Sequence, residues 1–218
     1  MRRSGGPVGY GPMNQVSRDA VRPVRADEWP AVKELRLLAL RDPAAPIAFL
    51  ETYENAAAEP DSFWQGRTKR AADGTRVRQF VAEGRDGTWS GTVTVLIEDP
   101  GSDDVFGGAI EQRQAHVAGV FVRPEYRGSG VIDALFVAAV EWAWSVTDVA
   151  RVRLYVHEDN ARAESTYRRH GFVRSGETVP MKGDPSKLEH EMVLDKSAVV
   201  SDVGDRPSPM DPRPGASS

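Results

Sequence analysis

Apolar and polar positions recur along this chain with two periods, near 2 and near 3.6, in an order that sets out most of the fold. Residues 77–83 (VRQFVAE) alternate and predict a strand. Residues 84–87 end in Asp-Gly and predict a hairpin turn, with 89–97 (WSGTVTVLI) as the partner strand. Upstream, 21–24 is a short first strand. From Trp29, Val32, Leu35, Leu38 and Ala39 recur at helical spacing, with Asp27 as the N-cap and Pro30 in the first turn. This helix is expected to end near Leu40, before Asp42-Pro43. Residues 52–58 and 62–70 predict two short helices. The apolar run 117–122 predicts a strand, which Pro124 breaks. A tight loop, Arg127-Gly128-Ser129-Gly130, then opens a helix over 131–146. Residues 151–156 predict the next strand, parallel to 117–122 through a right-handed crossover. Asn160 caps a last helix on which Ala163 and Tyr167 share a face, and Gly171 fits its C′ position. Residues 172–178 and 188–195 read as closing strands.

The ends lack this periodicity. Residues 1–17 and 196–218 are rich in Gly, Pro and Ser and are expected to be disordered tails around one folded domain over 18–195. Met13 is a second candidate start. The connection 98–114 is long and polar. Its acidic residues Glu98, Asp99, Asp103 and Asp104 lack the spacing of a calcium loop and are expected to be a solvated surface. Phe49, Tyr53, Phe63 and Trp64 form an aromatic cluster. It suits either core packing or one wall of a pocket, with Glu51 and Glu54 as polar groups.

Composition narrows the chemistry. The 218 residues are 40% hydrophobic and 28% charged, with a net charge of −4 and no basic half, which argues against a nucleic-acid partner. There is no cysteine, so disulfides and thiol nucleophiles are excluded. Four scattered histidines do not have metal-site spacing, and no metal is expected. No apolar run is long enough to span a bilayer and no secretory signal is visible, so a cytoplasmic protein is expected. The loop 127–132 is the first chemical feature. Unpaired N–H groups and the positive end of a helix dipole meet there, which makes an anion site suited to phosphate. Taken alone, the loop is equally well explained as a turn that needs a positive φ at Gly128 or Gly130.

Two motifs in the right elements at the right separation carry a resemblance. Val120-Phe121-Val122-Arg123-Pro124 with Tyr126-Arg127-Gly128-Ser129-Gly130, and Asn160, Ala163, Tyr167 and Gly171-Phe172 one crossover later, resemble the GNAT family of N-acetyltransferases. The likeness covers residues 18–195 and is strongest over 116–172. It implies an α/β fold with a central mixed, twisted sheet of about six or seven strands flanked by about four helices. It implies acetyl-CoA as cosubstrate. The pyrophosphate would lie on the N–H groups of Gly128, Ser129, Gly130, Val131 and Ile132, with Arg127 nearby. It further implies a bulged central strand that splays from its parallel neighbour, so that backbone groups of Val120 and Val122, with Phe121 between them, pair with pantetheine. Asn160 and the Tyr167 face would close on the thioester. One position departs from the family loop: Ile132 stands where Gly or Ala is usual.

The reaction so implied moves an acetyl group to a primary amine by direct transfer, since no cysteine can carry it. Tyr167 has the role the family gives that position, protonating the departing thiolate. His116, four residues before the pairing segment, is the first candidate base; strand alternation puts it on one face with Ala118 and Val120. Glu83, Glu111, His157 and Glu158 are the runners-up. The acceptor is expected to be a small molecule, and a homodimer is common for the fold. Two other readings stay open: a non-catalytic acyl-CoA sensor, and an enzyme acting on a protein N-terminus or lysine.

Overall fold

The computed structural model describes residues 19–196, so the tails expected over 1–17 and 196–218 lie, except for Lys196, outside the described residues. Among the described residues there are seven strands: β1 (Ala20–Pro23), β2 (Val77–Glu83), β3 (Trp89–Glu98), β4 (Gln114–Val122), β5 (Arg151–His157), β6 (Val173–Met181) and β7 (Asp184–Asp195). They form one mixed sheet in the order β1-β2-β3-β4-β5-β7-β6. Only β4 and β5 pair in parallel. Five helices flank the sheet: α1 (Trp29–Leu40), α2 (Tyr53–Ala58), α3 (Asp61–Asp73), α4 (Val131–Ser145) and α5 (Ala161–Arg169).

The sheet is buried on both faces by separate cores. On one face Val93, Val95, Ala115, Val117, Val152 and Leu154 pack against Leu135, Phe136 and Ala139 of α4. On the other, Val81, Trp89 and Phe121 pack against Val32 and Leu35 of α1 and Trp64 of α3. The near-continuous burial of β3 follows from this double cover. Phe136 is the hinge of the first core. Its ring stacks on His170 at 4.8 Å, lies tilted against Tyr167 at 5.6 Å and meets Phe172 edgewise.

The irregularity that matters most is in β4. Thr92 pairs with Phe121 but Thr94 pairs with Ala118, so Gly119 and Val120 together oppose Val93. This is a β-bulge, and Gly119 adopts the φ of +61° that it needs. The extra residue reverses the alternation. Ala115 and Val117 face α4 before the bulge, while Val120 and Val122 face it afterwards. His116 and Val120 are therefore on opposite faces, contrary to simple alternation; the bulge is the reason.

Three other differences have local causes. The strands expected over 172–178 and 188–195 extend into a long hairpin whose tip turns at Gly183, with φ of +99°. This hairpin edge is exposed and polar, and Pro180 and Pro185 mask its pattern. There are five helices rather than about four, because the 52–58 and 62–70 segments both fold, the second continuing to a left-handed Gly74. The 98–114 connection is not a solvated loop throughout. Asp104 accepts hydrogen bonds from the N–H groups of Phe106 and Gly108, both at 2.8 Å, and is buried.

Truncating the central ring tests the first core. Phe136→Ala is expected to cost about 3–5 kcal/mol in urea unfolding. A loss below about 1 kcal/mol would mean that α4 is not seated as described.

Candidate active site

β4 and β5 are paired only at Ala115–Val152 and His116–Arg153. Beyond these two pairs the strands diverge, and a cleft of about 720 Å³ opens between them. Its inner wall is the strand edge from Gly119 to Val122. The N–H of Arg123 donates to Ser90 O on β3 at 2.9 Å, so by alternation Val120 and Val122 direct their backbone groups away from β3 and into the gap. Such an edge accommodates an extended, amide-bearing chain by strand addition. Val122 O already accepts from Arg127 Nε at 3.1 Å. Phe121 is placed otherwise: its backbone pairs with Thr92 and its ring is buried in the α1–α3 core.

One end of the cleft is an anion cradle. Gly128 and Gly130 have φ of +81° and +88°, and a Cβ on either would meet open space. The first N–H groups of α4, those of Val131 and Ile132 among them, have no intrahelical acceptor. Phosphate-bearing ligands fit such a loop. Ile132 packs partly against the core and also lines the cleft. Val131 is buried. Ser129 Oγ is turned back to Tyr126 O at 2.6 Å. The Arg127 guanidinium is held by the buried carboxylate of Asp42.

α5 forms the opposite wall. Asn160 Oδ1 caps the helix by accepting from Ala163 N–H at 3.2 Å, and its Nδ2 donates to Ile47 O at 3.3 Å, across the cleft. Tyr167 lines the cleft with its ring against Phe136. Burial and the neighbouring charge of Glu189 push its hydroxyl up to about 12, so it keeps its proton at neutral pH.

The floor is the face of the sheet opposite α4. His116 Nδ1 is 3.0 Å from Glu98 Oε1. Burial raises the Glu98 carboxyl, but the hydrogen bond and charge of His116 and the charge of Arg153 outweigh it and hold the group below its usual range. An ionised Glu98 places the shared proton on Nδ1 and leaves Nε2 as the acceptor nitrogen of His116, which borders the cleft. Arg153, only 4% exposed, joins Glu98, Asp104 and Glu191 at 2.7, 3.1 and 3.3 Å. Of the runner-up bases only His157 borders the cleft, and its Nδ1 accepts from Asp159 N–H at 3.1 Å. Glu83 pairs with Arg22, Glu158 pairs with Lys187, and Glu111 is exposed in a loop. The aromatic segment divides its roles. Trp64 is fully buried with Phe63 edge-on to it at 5.4 Å, whereas Phe49 and Glu51 line the cleft.

Two residues lay outside the sequence expectations. Glu98 was grouped with the solvated acids, and only the strand pairing reveals it beneath His116. Glu189 sits in an alternating strand with no motif around it. It is 7% exposed, borders the cleft, and burial raises its carboxyl to about 7. A carboxyl raised from 4.5 to about 7 on folding destabilises the protein progressively as pH rises through that window, at 1.36 kcal/mol per unit. Glu189→Gln is therefore expected to stabilise the protein by up to about 3 kcal/mol at pH 8 and hardly at all near pH 4.5. Urea unfolding at both pH values checks this; a pH-independent effect would contradict it.

Known proteins are similar to this chain in sequence and in fold. Residues 32–172 match the family model described as the Acetyltransferase (GNAT) family. An L-amino acid N-acetyltransferase, AaaT, from Escherichia coli (strain K12) is 30% identical over 131 residues, 58% of this chain and 72% of that protein. A spermidine N-acetyltransferase from Vibrio cholerae, solved with CoA and spermine, superposes with a TM-score of 0.61 at 18% identity, covering 84% of this chain and 99% of that one. A GNAT acetyltransferase from Streptococcus pneumoniae superposes at 0.62 with 15% identity, covering 81% and 98%. At such identities the two structures establish the fold alone. The matched family model and the amino-acid-acetylating relative go further, and with the bulged, splayed strand pair they lead to one conclusion: this chain belongs to the GNAT family of acetyltransferases.

Proposed function

We propose that the protein transfers the acetyl group of acetyl-CoA directly to a primary amine of a small molecule. The observation that carries this reading is the single cleft that joins the α4 anion cradle, the open edge of β4, Tyr167 and His116. The solved Vibrio cholerae relative binds CoA, which supports the same cosubstrate here. The cleft is walled by Phe49 on one side and by Phe106, whose ring packs on Tyr155 at 4.7 Å, on another. Such closure favours a compact acceptor over a protein chain.

The amine arrives as an ammonium ion, and His116 Nε2 takes one proton from it, directly or through a water. Glu98 fixes the ring orientation and stabilises the imidazolium that forms. The freed nitrogen lone pair then attacks the thioester carbonyl carbon. Negative charge builds on the carbonyl oxygen, where the unpaired strand N–H groups beside the bulge supply donors. As the C–S bond breaks, Tyr167 gives its hydroxyl proton to the sulfur. The acylated nitrogen still carries one proton too many and passes it to the tyrosinate, while His116 releases its own proton to solvent, so both groups are reset and one proton leaves per turnover. Holding the two substrates side by side supplies much of the rate, and the splayed strands do that holding.

Tyr167→Phe is expected to lower kcat by about 10²–10⁴-fold with little change in acetyl-CoA affinity. His116→Gln should produce a similar loss, and Glu98→Gln, which removes the charge that orients the ring, should also lower the rate. Thiol release from acetyl-CoA measures all three. Unchanged rates in Tyr167→Phe would contradict the acid assignment.

A further inference from the structure

The wall of the cleft formed by α1 and residues 45–51 carries more positive charge than its protein partners neutralise. Arg36 lines the cleft and places both Nε and Nη2 at 3.0 Å from one oxygen of Glu51, Oε2. Its guanidinium lies over the Phe49 ring at 4.5 Å. Behind it, Arg67 shares with Arg36 an adjoining cavity of about 20 Å³, bounded by Gln79, Thr92, Thr94 and Gly119. Gly119, the bulge residue, borders both cavities. Among the described residues Arg67 forms no salt bridge, so two guanidiniums share the single carboxylate of Glu51. Burial depresses both arginines; the charge of Arg67 depresses Arg36 further, and that of Arg70 depresses Arg67. The nearby carboxylate of Asp42 is committed to Arg127.

We infer that Arg36, with Arg67 behind it, receives a carboxylate of the acceptor, so that the amine acetylated here belongs to an amino-acid-like molecule. This rests on the acetyl-transfer reading and names the substrate class of the same site. Arg36 leaves Nη1 unspent, and a guanidinium edge is suited to a carboxylate. A bound carboxylate would balance the surplus charge with Glu51 still in place. A polyamine would bring further cations to a wall that is already positive, and the carboxylate of that wall, Glu51, is engaged by Arg36. A plain alkylamine would leave the desolvated charge as it is. The position beside Gly119 is favourable too. It puts the carboxylate next to the bulge, so an amine one or two carbons away reaches the reacting end of the cleft.

The test pairs each of the common L-amino acids with its own carboxamide, adds spermidine, and follows thiol release from acetyl-CoA. Calorimetric binding of the same compounds to the CoA-loaded protein runs alongside. At least one free acid is expected to exceed its carboxamide by about tenfold or more in kcat/KM, and spermidine to be poor. In Arg36→Gln that preference should collapse through a rise in KM, and Arg67→Gln should weaken it; unchanged CoA binding shows that both variants are folded. Equal or better use of carboxamides or spermidine overturns the inference, as does a preference that survives in both variants. Selective, Arg36-dependent binding of a free acid without turnover upholds the carboxylate site and removes the transfer reading instead. Binding without such selectivity overturns the carboxylate site whatever the turnover.

Discussion

The parting of β4 from β5 is the constraint on which the rest of this molecule depends. Two parallel strands joined at only two residue pairs expose backbone groups that must be satisfied by something else. The bulge at Gly119 turns β4 away from its neighbour and reverses its side-chain phase. The α4 face thereby keeps its core contacts through Val120 and Val122, while the gap opens beside them. The candidate functional groups are arranged around that gap: the loop at the start of α4, Tyr167 on α5, and the His116–Glu98 pair on the floor.

The closed end of the gap is secured by charge. Arg153, the β5 residue in the last parallel pair, is buried among Glu98, Asp104 and Glu191. Each of those carboxylates belongs to a different element, so one guanidinium joins β3, the 99–113 connection and β7 beneath the cleft. Removing the guanidinium from such a cluster leaves buried carboxylates facing one another, typically at a cost of about 3–5 kcal/mol. Asp104 also accepts the Tyr155 hydroxyl at 3.1 Å and holds Phe106 over the acceptor end. The same polar network therefore supports the strand pair, orients the candidate base and shapes one wall of the cleft.

Much of this was legible in the residues. The periods of 2 and 3.6 placed every strand and helix from β2 to α5, and the Arg127–Gly130 loop with Asn160 and Tyr167 carried the family resemblance. What escaped had physical causes. Alternation cannot foresee a bulge, so His116 was expected on the face of Val120 when it lies on the other. Glu98 and Asp104 looked like surface acids because their partners, His116 and Arg153, are 18 and 49 residues away in sequence. Glu189 and Arg36 belong to an ordinary strand and an ordinary helix, and their importance comes only from what burial denies them. Ile132, the departure from the family loop, both lines the cleft and packs partly against the core, and its backbone N–H stays part of the loop.

The central claim is that the open edge of β4 and the α4 cradle together bind CoA. Amide hydrogen exchange with and without CoA tests it most directly. Slowed exchange at Val120, Val122 and residues 128–132, with the α1–α3 core unchanged, is the result this account predicts. Unaltered exchange along β4 in the presence of bound CoA would contradict it.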